Sequence, residues 1–227
     1  MLARIAAPAL CVVLLAAGCS SGDDDPAPEP TGLIAATTMR GALLQAADIG
    51  PTWAAPAQAP DPQQMVSICG GTSTAPAVPP GGEVVAASFV DEGEKGAQTL
   101  DQKALVYGDV SAAKAGQAAL RAVADGCQAD VSVPATVTND KSEPAYTETV
   151  EIKTLTESGW DGFAVIRHKK YEPKHPGTAD TAVAVLSRSN VVLVDAYAIY
   201  QLNNASTSPN FSADWQKLVG SVVQRVG

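Results

Sequence analysis

From residue 83 onward, apolar and polar side chains alternate in short runs, and this alternation predicts most of the secondary structure. Successive side chains of a strand point to opposite faces of a sheet, so an apolar residue at every second position predicts a strand with one buried face. Such runs occur at residues 83–90, 97–107, 146–155, 162–171, 179–187 and 191–200.

Three other segments place their apolar residues at helical spacing. They cover residues 37–48, the stretch from a cap at Asp109 or Ser111 to Ala124, and residues 212–226. The middle segment has a single narrow polar stripe, so we expect this helix to be largely buried against a sheet.

The connections between these segments decide the fold class. The four residues 187–190 join two predicted strands, and so short a connection requires antiparallel pairing. Residues 54–82, which are rich in Pro, Gly, Ala, Ser and Thr, are predicted to be irregular. The pattern predicts an α+β fold, with an antiparallel sheet of about six strands and two or three helices packed on one face.

The first residues have the composition of a secretion signal. Arg4 and the terminal amino group precede an apolar run at residues 5–17, which small residues link to Cys19. A membrane-spanning helix needs ~20 apolar residues, so this shorter run predicts a signal peptide over residues 1–18.

Residues 15–19 read Leu-Ala-Ala-Gly-Cys, which resembles the lipobox of bacterial lipoproteins. The resemblance implies cleavage before Cys19, a diacylglycerol on its thiol, and a location on the extracytoplasmic face of the cell membrane. Two or three acyl chains such as palmitate anchor a protein stably, because each buried CH₂ contributes about 0.8 kcal/mol. A secreted protein with a chance cysteine at the cut site is the alternative.

Residues 19–36 are predicted to form the lipidated N-terminus and a disordered tether. The stretch at residues 20–32 holds almost no apolar side chains and cannot offset its ordering entropy. Its acidic run at residues 23–25 is interpreted as linker charge rather than as a metal site. Residues 37–227 then form a single domain.

Composition limits the classes of partner. The net charge is −9 and becomes more negative when Arg4 is removed, which disfavours nucleic acid because phosphate neutralisation supplies most of that affinity. Hydrophobic residues make up 46% of the chain, enough for a real core, and Ala and Val dominate them. Such Ala-rich usage is typical of high-GC genomes.

Two cysteines, Cys69 and Cys127, remain in the predicted domain. An even number in an oxidising compartment predicts a disulfide. Two buried thiols or a metal pair are the alternatives, although no nearby His or Cys completes a metal tetrad. No metal or cofactor site is predicted.

Residues 167–175 concentrate positive charge within an acidic protein, and they supply candidate ligand-binding residues. Arg167 and Lys169 suit an anion such as a lipid headgroup, a phosphorylated glycan or a cell-wall polymer. The alternative is a solvated hairpin end whose lysines protect an edge strand. Asp195, which interrupts an apolar run, is the third candidate; we expect it to point to solvent or to face Arg167 or Arg188.

Candidate catalytic chemistry is sparse. The chain has 2 histidines, His168 and His175, and it lacks the Gly-x-Ser-x-Gly elbow of many hydrolases. We therefore assign no catalytic residues and do not expect an enzyme.

An ordered set of motifs resembles the actinobacterial sensor-domain lipoproteins, a family similar to the PknH-type extracellular sensor domain of mycobacterial serine/threonine kinases. The motifs are residues 42–53, a cysteine in a Pro-rich loop, residues 86–89, the strand end Val106-Tyr107 before an Ala-rich helix that runs into Cys127, and the hairpin at residues 188–192.

The resemblance covers residues 36–227 and implies a sheet-and-helix domain with a groove, stapled by a disulfide, that binds an unidentified envelope ligand. It implies no catalytic residues. PknH-type domains carry more than one disulfide, whereas this domain has cysteines for one.

Two functions follow as hypotheses. The first is a non-enzymatic sensor or ligand-binding module, held on the membrane by the lipid on Cys19 and sensing an envelope ligand through a partner. The second is a surface interaction protein that regulates or stabilises an envelope complex without a small ligand. An apolar pocket with convergent polar groups would favour the first, and a large exposed apolar patch would favour the second.

Overall fold

The computed structural model describes residues 32–94, 96–138, 141–202 and 206–227. Cys19, the predicted signal peptide and residues 20–31 of the predicted tether lie outside the described residues. The long elements follow the sequence pattern closely. The helices are α1 (Ala36–Ala42), α2 (Ala46–Ile49), α3 (Val110–Asp125) and α4 (Phe211–Val226). The strands are β1 (Gly82–Gly93), β2 (Gly96–Tyr107), β3 (Asp130–Val133), β4 (Thr136–Thr138), β5 (Lys141–Glu143), β6 (Tyr146–Glu157), β7 (Trp160–Tyr171), β8 (Gly177–Arg188) and β9 (Val191–Leu202).

Seven strands form one antiparallel sheet in the order β1-β2-β9-β8-β7-β6-β3. The hairpins β1–β2, β6–β7 and β8–β9 join strands that are neighbours along the chain, and β2 pairs with β9. Strands β4 and β5 form a separate two-stranded sheet. The α+β class and the antiparallel sheet are confirmed, while β3, β4 and β5 were not predicted.

The helices lie on both faces of the sheet rather than on one. Along β8, Ala182, Ala184 and Leu186 belong to the core beneath α1 and α4, whereas Val183 and Val185 belong to the core beneath α3. Successive residues point to opposite faces, so these two cores are on opposite sides. The reason is that β8 and β9 carry continuous apolar runs, which must be covered on both sides.

The helix predicted at residues 37–48 is interrupted. Helix α1 ends at Ala42, and α2 begins at Ala46. Leu43 and Leu44 are both buried, and the Leu44 N–H donates to the Gln102 Oε1 at 2.9 Å rather than to a helical carbonyl. The break lets two consecutive leucines enter the core.

The N-terminal segment is fixed to the β8–β9 turn through Asn190. The Asn190 side chain accepts a hydrogen bond from the Ile34 N–H at 2.7 Å and donates to the Ile34 and Tyr107 carbonyls at 3.1 and 2.7 Å. The Ser189 hydroxyl donates to the Gly32 carbonyl at 2.7 Å. The described chain therefore enters the domain at this end of the sheet.

The predicted disulfide between Cys69 and Cys127 is confirmed. It closes a span of 58 residues and attaches the irregular segment to the end of α3. Loop-closure entropy for a span of this length contributes about 4 kcal/mol to stability. No helix in the described ranges is long and apolar enough to cross a membrane.

Candidate functional site

Arg167 and Lys169 lie two residues apart on β7, on the face of the sheet that α3 covers. Arg167 is mostly buried, and its Nη1 lies 3.5 Å from the Glu148 Oε1 of β6. Burial lowers the pKa of Arg167, and the nearby Glu148 opposes this shift. Its charge is therefore engaged inside the protein.

Glu148 connects this ion pair to the disulfide loop. Its Oε2 accepts a hydrogen bond from the Gly71 N–H at 2.6 Å, and the Tyr146 hydroxyl donates to the Gly71 carbonyl at 3.3 Å. Gly70 has φ +70°, and a β-carbon there would overlap the side chains of Glu148 and Arg167. Glycine is thus required where the loop crosses the ion pair.

Lys169 is held by aromatic rings and a carboxylate. Its Nζ lies 3.9 Å from the centroid of the Tyr146 ring and 2.8 Å from the Glu143 Oε1. The Tyr171 hydroxyl donates to the same Glu143 oxygen at 3.2 Å. Burial, with Glu143 as the next contribution, raises the pKa of Tyr171. The hydroxyl therefore stays protonated at neutral pH.

Asp195 is not part of this cluster. It pairs in register with Gln102 and Ala184, and its side chain points to the face beneath α1 and α4, opposite to that of Arg167. It is 1% exposed, and its hydrogen-bond partner is Gln102 at 2.6 Å. The expectation that Asp195 points to solvent or faces an arginine is therefore wrong. Asp195 lies on a sheet face that α1 and α4 cover, and this burial is why it does not reach solvent.

The two histidines contact carboxylates. The His168 Nδ1 lies 2.8 Å from the Asp180 Oδ1, and the same carboxylate accepts from the Thr207 hydroxyl and the Ser208 N–H at 3.2 and 3.3 Å. The His175 Nδ1 lies 3.1 Å from the Glu172 Oε1. Asp180 thus joins β8 to the segment that precedes α4, so we assign it a role in holding these two parts of the fold together.

A large concave surface lies where β3 and β7 end and β6 begins, and we call it the strand-end groove. Its volume is about 640 Å³. Its wall is mostly apolar, and it is formed by Val133, Pro134, Ala145, Tyr146, Tyr171 and Pro173. Two charged residues, Lys170 and Glu172, also line it.

The groove contains one end of the basic segment at residues 167–175, but not the residues selected from it. Lys169 packs against the Tyr146 ring of the wall without lining the groove, Arg167 does not line it either, and Lys170 does. One signal in the sequence points to the groove, because Pro134 and Pro173 follow the ends of β3 and β7, the two strands that flank β6. Within the described ranges, no three metal-ligating side chains converge.

The comparisons with known proteins support the fold. No protein-family model matches the chain, and no curated protein matches it significantly. Among solved structures, the crystal structure of the extracellular domain of PknH from Mycobacterium tuberculosis is similar, with a TM-score of 0.50 and 12% sequence identity. The match covers 86% of this chain and 97% of that chain. The resemblance to the PknH-type domain is therefore confirmed as a shared fold.

Proposed function

We propose that this chain is an extracytoplasmic, non-enzymatic sensor or ligand-binding module, anchored by a lipid on Cys19, and that its strand-end groove binds an anionic amphiphile of the cell envelope. The fold shared with the extracellular domain of PknH supports the extracytoplasmic role. The observation that carries the ligand-binding role is the apolar groove of about 640 Å³.

The size and lining of the groove suit a ligand. Pockets that take small molecules have volumes of about 300–1,000 Å³ and mainly apolar walls with a few polar groups. The groove has this character, with the rings of Tyr146 and Tyr171 in its wall. These rings meet edge to face, with centroids 5.7 Å apart, and Tyr171 also meets Tyr200 at 5.9 Å. The neighbouring rings hold the wall in place.

The charges at the groove favour an anionic head on the ligand. Lys170 is exposed, and no ion pair forms with it among the residues that the structure covers. The opposite charge in the groove, Glu172, is engaged by His175. The ammonium group of Lys170 would therefore be available to an anionic head group. Arg167 and Lys169 would instead support the wall of the groove.

The distribution of exposed apolar side chains favours this function over that of a surface interaction protein. The large apolar residues exposed in the described ranges are Val110, Val137 and Leu202, which lie at the start of α3, on β4 and at the end of β9. They are spread over three elements. A docking surface would require such residues to form one patch.

The test is native mass spectrometry of the mature protein purified from its own envelope, with and without Ala145→Phe. Ala145 lines the groove, and a phenyl ring there would fill part of it. We expect the wild-type protein to retain an extra mass that is lost in this variant. Ala213→Phe, at an exposed position on α4, is the matched control and should retain the mass.

A mass retained equally by all three proteins would place the ligand outside the groove. The absence of any retained mass, followed by no binding of dodecyl phosphate in titrations, would contradict the ligand-binding role.

A further inference from the structure

A second cavity, of about 200 Å³, lies between α2 and α4, and we call it the interhelical cavity. It is on the face of the sheet opposite to that of Arg167, because Tyr197 belongs to the core beneath α1 and α4. Apolar side chains form one wall and charged groups surround the rim. The apolar wall consists of Leu44, Ile49, Trp53 and Leu218.

The floor of the cavity contains a polar group, the hydroxyl of Tyr197, which is held in place by a hydrogen bond. Tyr197 is 1% exposed, and its hydroxyl donates a hydrogen bond of 2.6 Å to the Gln98 Oε1. The Gln98 side chain also lines the cavity and can offer its amide N–H₂ to an occupant. Trp53 is half-buried and also lines the cavity.

One pair of rim charges is already neutralised. The Arg225 guanidinium donates two hydrogen bonds to the Asp48 carboxylate, at 2.9 and 3.0 Å. This bidentate pair joins α2 to the last turn of α4. It closes one side of the cavity and leaves no net charge there.

The other two rim charges are open. Asp214 and Lys217 both line the cavity and lie three residues apart on α4, which places them on the same side of the helix. Neither side chain has an ion pair or hydrogen bond among the residues that the structure covers. The cavity thus presents a carboxylate and an ammonium group side by side, next to an indole.

We infer that the interhelical cavity binds a small zwitterion with an apolar side chain, of the size of a single amino acid. The ligand ammonium contacts Asp214, the ligand carboxylate contacts Lys217, and the side chain packs against Trp53 and Leu218. A volume of about 200 Å³ lies below the range of about 300–1,000 Å³ for drug-sized ligands, which favours an occupant this small. This inference does not depend on the strand-end groove.

The experiment follows the indole N–H signals of the three tryptophans by NMR during titration with L-leucine, with assignments from Trp53→Phe. We expect the Trp53 signal to move and saturate, and the signal of the fully buried Trp160 to stay in place. Two analogues with similar branched alkyl groups, 4-methylpentanoate and 3-methylbutylamine, each lack one charge. We expect both to bind at least about tenfold more weakly, since a hydrogen bond between charged groups contributes about 1.5–3 kcal/mol.

Two variants test the assignment of charges, and a third controls for the change in the helix. Asp214→Asn and Lys217→Met should each weaken leucine binding by about tenfold or more. Gln216→Met, at an exposed neighbouring position, should not change it. No saturable shift of Trp53 up to the solubility limit of leucine would overturn the inference, as would equal binding of leucine and the two analogues.

Discussion

Gln102 and Asp195 lie opposite each other on β2 and β9, and the Gln102 amide donates a hydrogen bond of 2.6 Å to the Asp195 carboxylate beneath the helices. The oxygen of the same amide accepts from Leu44 at the break between α1 and α2. Burial raises the pKa of Asp195 to about 7, although the bond from Gln102 opposes the shift. The Asp195 Oδ1 has no hydrogen-bond partner in the described part of the chain.

This buried carboxyl predicts that the free energy of unfolding falls as the pH rises. Between the ordinary pKa of 3.8 and the folded value of about 7, the native state binds more protons than the unfolded state. The contribution of Asp195 to the free energy of unfolding is fully present below this window. It is lost as the pH rises through the window, by up to roughly 4 kcal/mol. Asp195→Asn cannot ionise and should remove this loss.

Urea unfolding from about pH 4 to about pH 8 measures the effect. We expect Asp195→Asn to be more stable than the wild type at the upper end of this range. Asp130→Asn, at an exposed position on β3, controls for the loss of a charge. If the wild type and Asp195→Asn show the same pH dependence, Asp195 is already ionised without cost in the folded protein.

The Arg167–Glu148 pair predicts a large cost for removing one partner. Glu148 is 3% exposed, so Glu148→Gln leaves the mostly buried Arg167 without its opposite charge. Such a loss costs about 3–5 kcal/mol of unfolding free energy. The double variant Glu148→Gln/Arg167→Met should recover part of it, because no charge is then left buried.

Chemical denaturation of the single and double variants measures this coupling. The exposed pair Glu151–Lys153 on the same strand is the comparison, and Glu151→Gln should change stability by less than about 1 kcal/mol. Equal costs for Glu148→Gln and Glu151→Gln would show that the buried pair is solvated.

Two helical glycines predict opposite effects of the same substitution. At Gly116 in α3, a β-carbon would overlap the hydroxyl of the buried Tyr107, and such overpacking costs about 1–3 kcal/mol. At Gly41 in α1, a β-carbon would meet no atom within 4 Å, so Gly41→Ala should gain up to about 1 kcal/mol from helix propensity. Thermal unfolding of both variants decides the signs, and stabilisation by Gly116→Ala would mean that the Tyr107 ring can move aside.

The proposed lipid anchor predicts different effects for substitutions of two cysteines that lie outside the described residues. Cys19→Ala should abolish incorporation of labelled palmitate and release the protein from membranes, because the acyl chains supply the binding energy. Cys11→Ala should leave both unchanged, since Cys11 is removed with the predicted signal peptide. Palmitate labelling of Cys19→Ala at the wild-type level would contradict the assignment.

The long elements could be predicted because their patterns are local. Strands β6 and β7 alternate clearly, and α4 has one apolar stripe. The break after Ala42 could not be predicted, because its cause is a hydrogen bond from Leu44 to Gln102, 58 residues away along the chain. The continuous apolar runs of β8 and β9 indicate that helices cover both faces of the sheet. The alternation in the other strands favours a single covered face, which is the arrangement that we predicted.

The candidate site was harder to predict from the sequence than the fold. The basic segment runs to the end of the sheet where the groove lies, but the residue of that segment selected by the structure is Lys170 rather than Arg167 or Lys169. A one-residue difference reverses the face of a strand, and the partners Glu148 and Glu143 come from other elements. The interhelical cavity joins residues from α2, β2, β9 and α4, and no local pattern indicates it.

The position of Gly32 has a mechanical consequence. The described chain enters at the β8–β9 turn, whereas the strand-end groove lies at the other end of the twelve-residue strands β7 and β8, about 36 Å away. Tension applied along the chain from its N-terminal side therefore reaches the domain first at the hydrogen bonds of Ser189 and Asn190, at the end of the sheet opposite to the groove. A domain immobilised on a sensor chip through this end would keep its groove open to the solution.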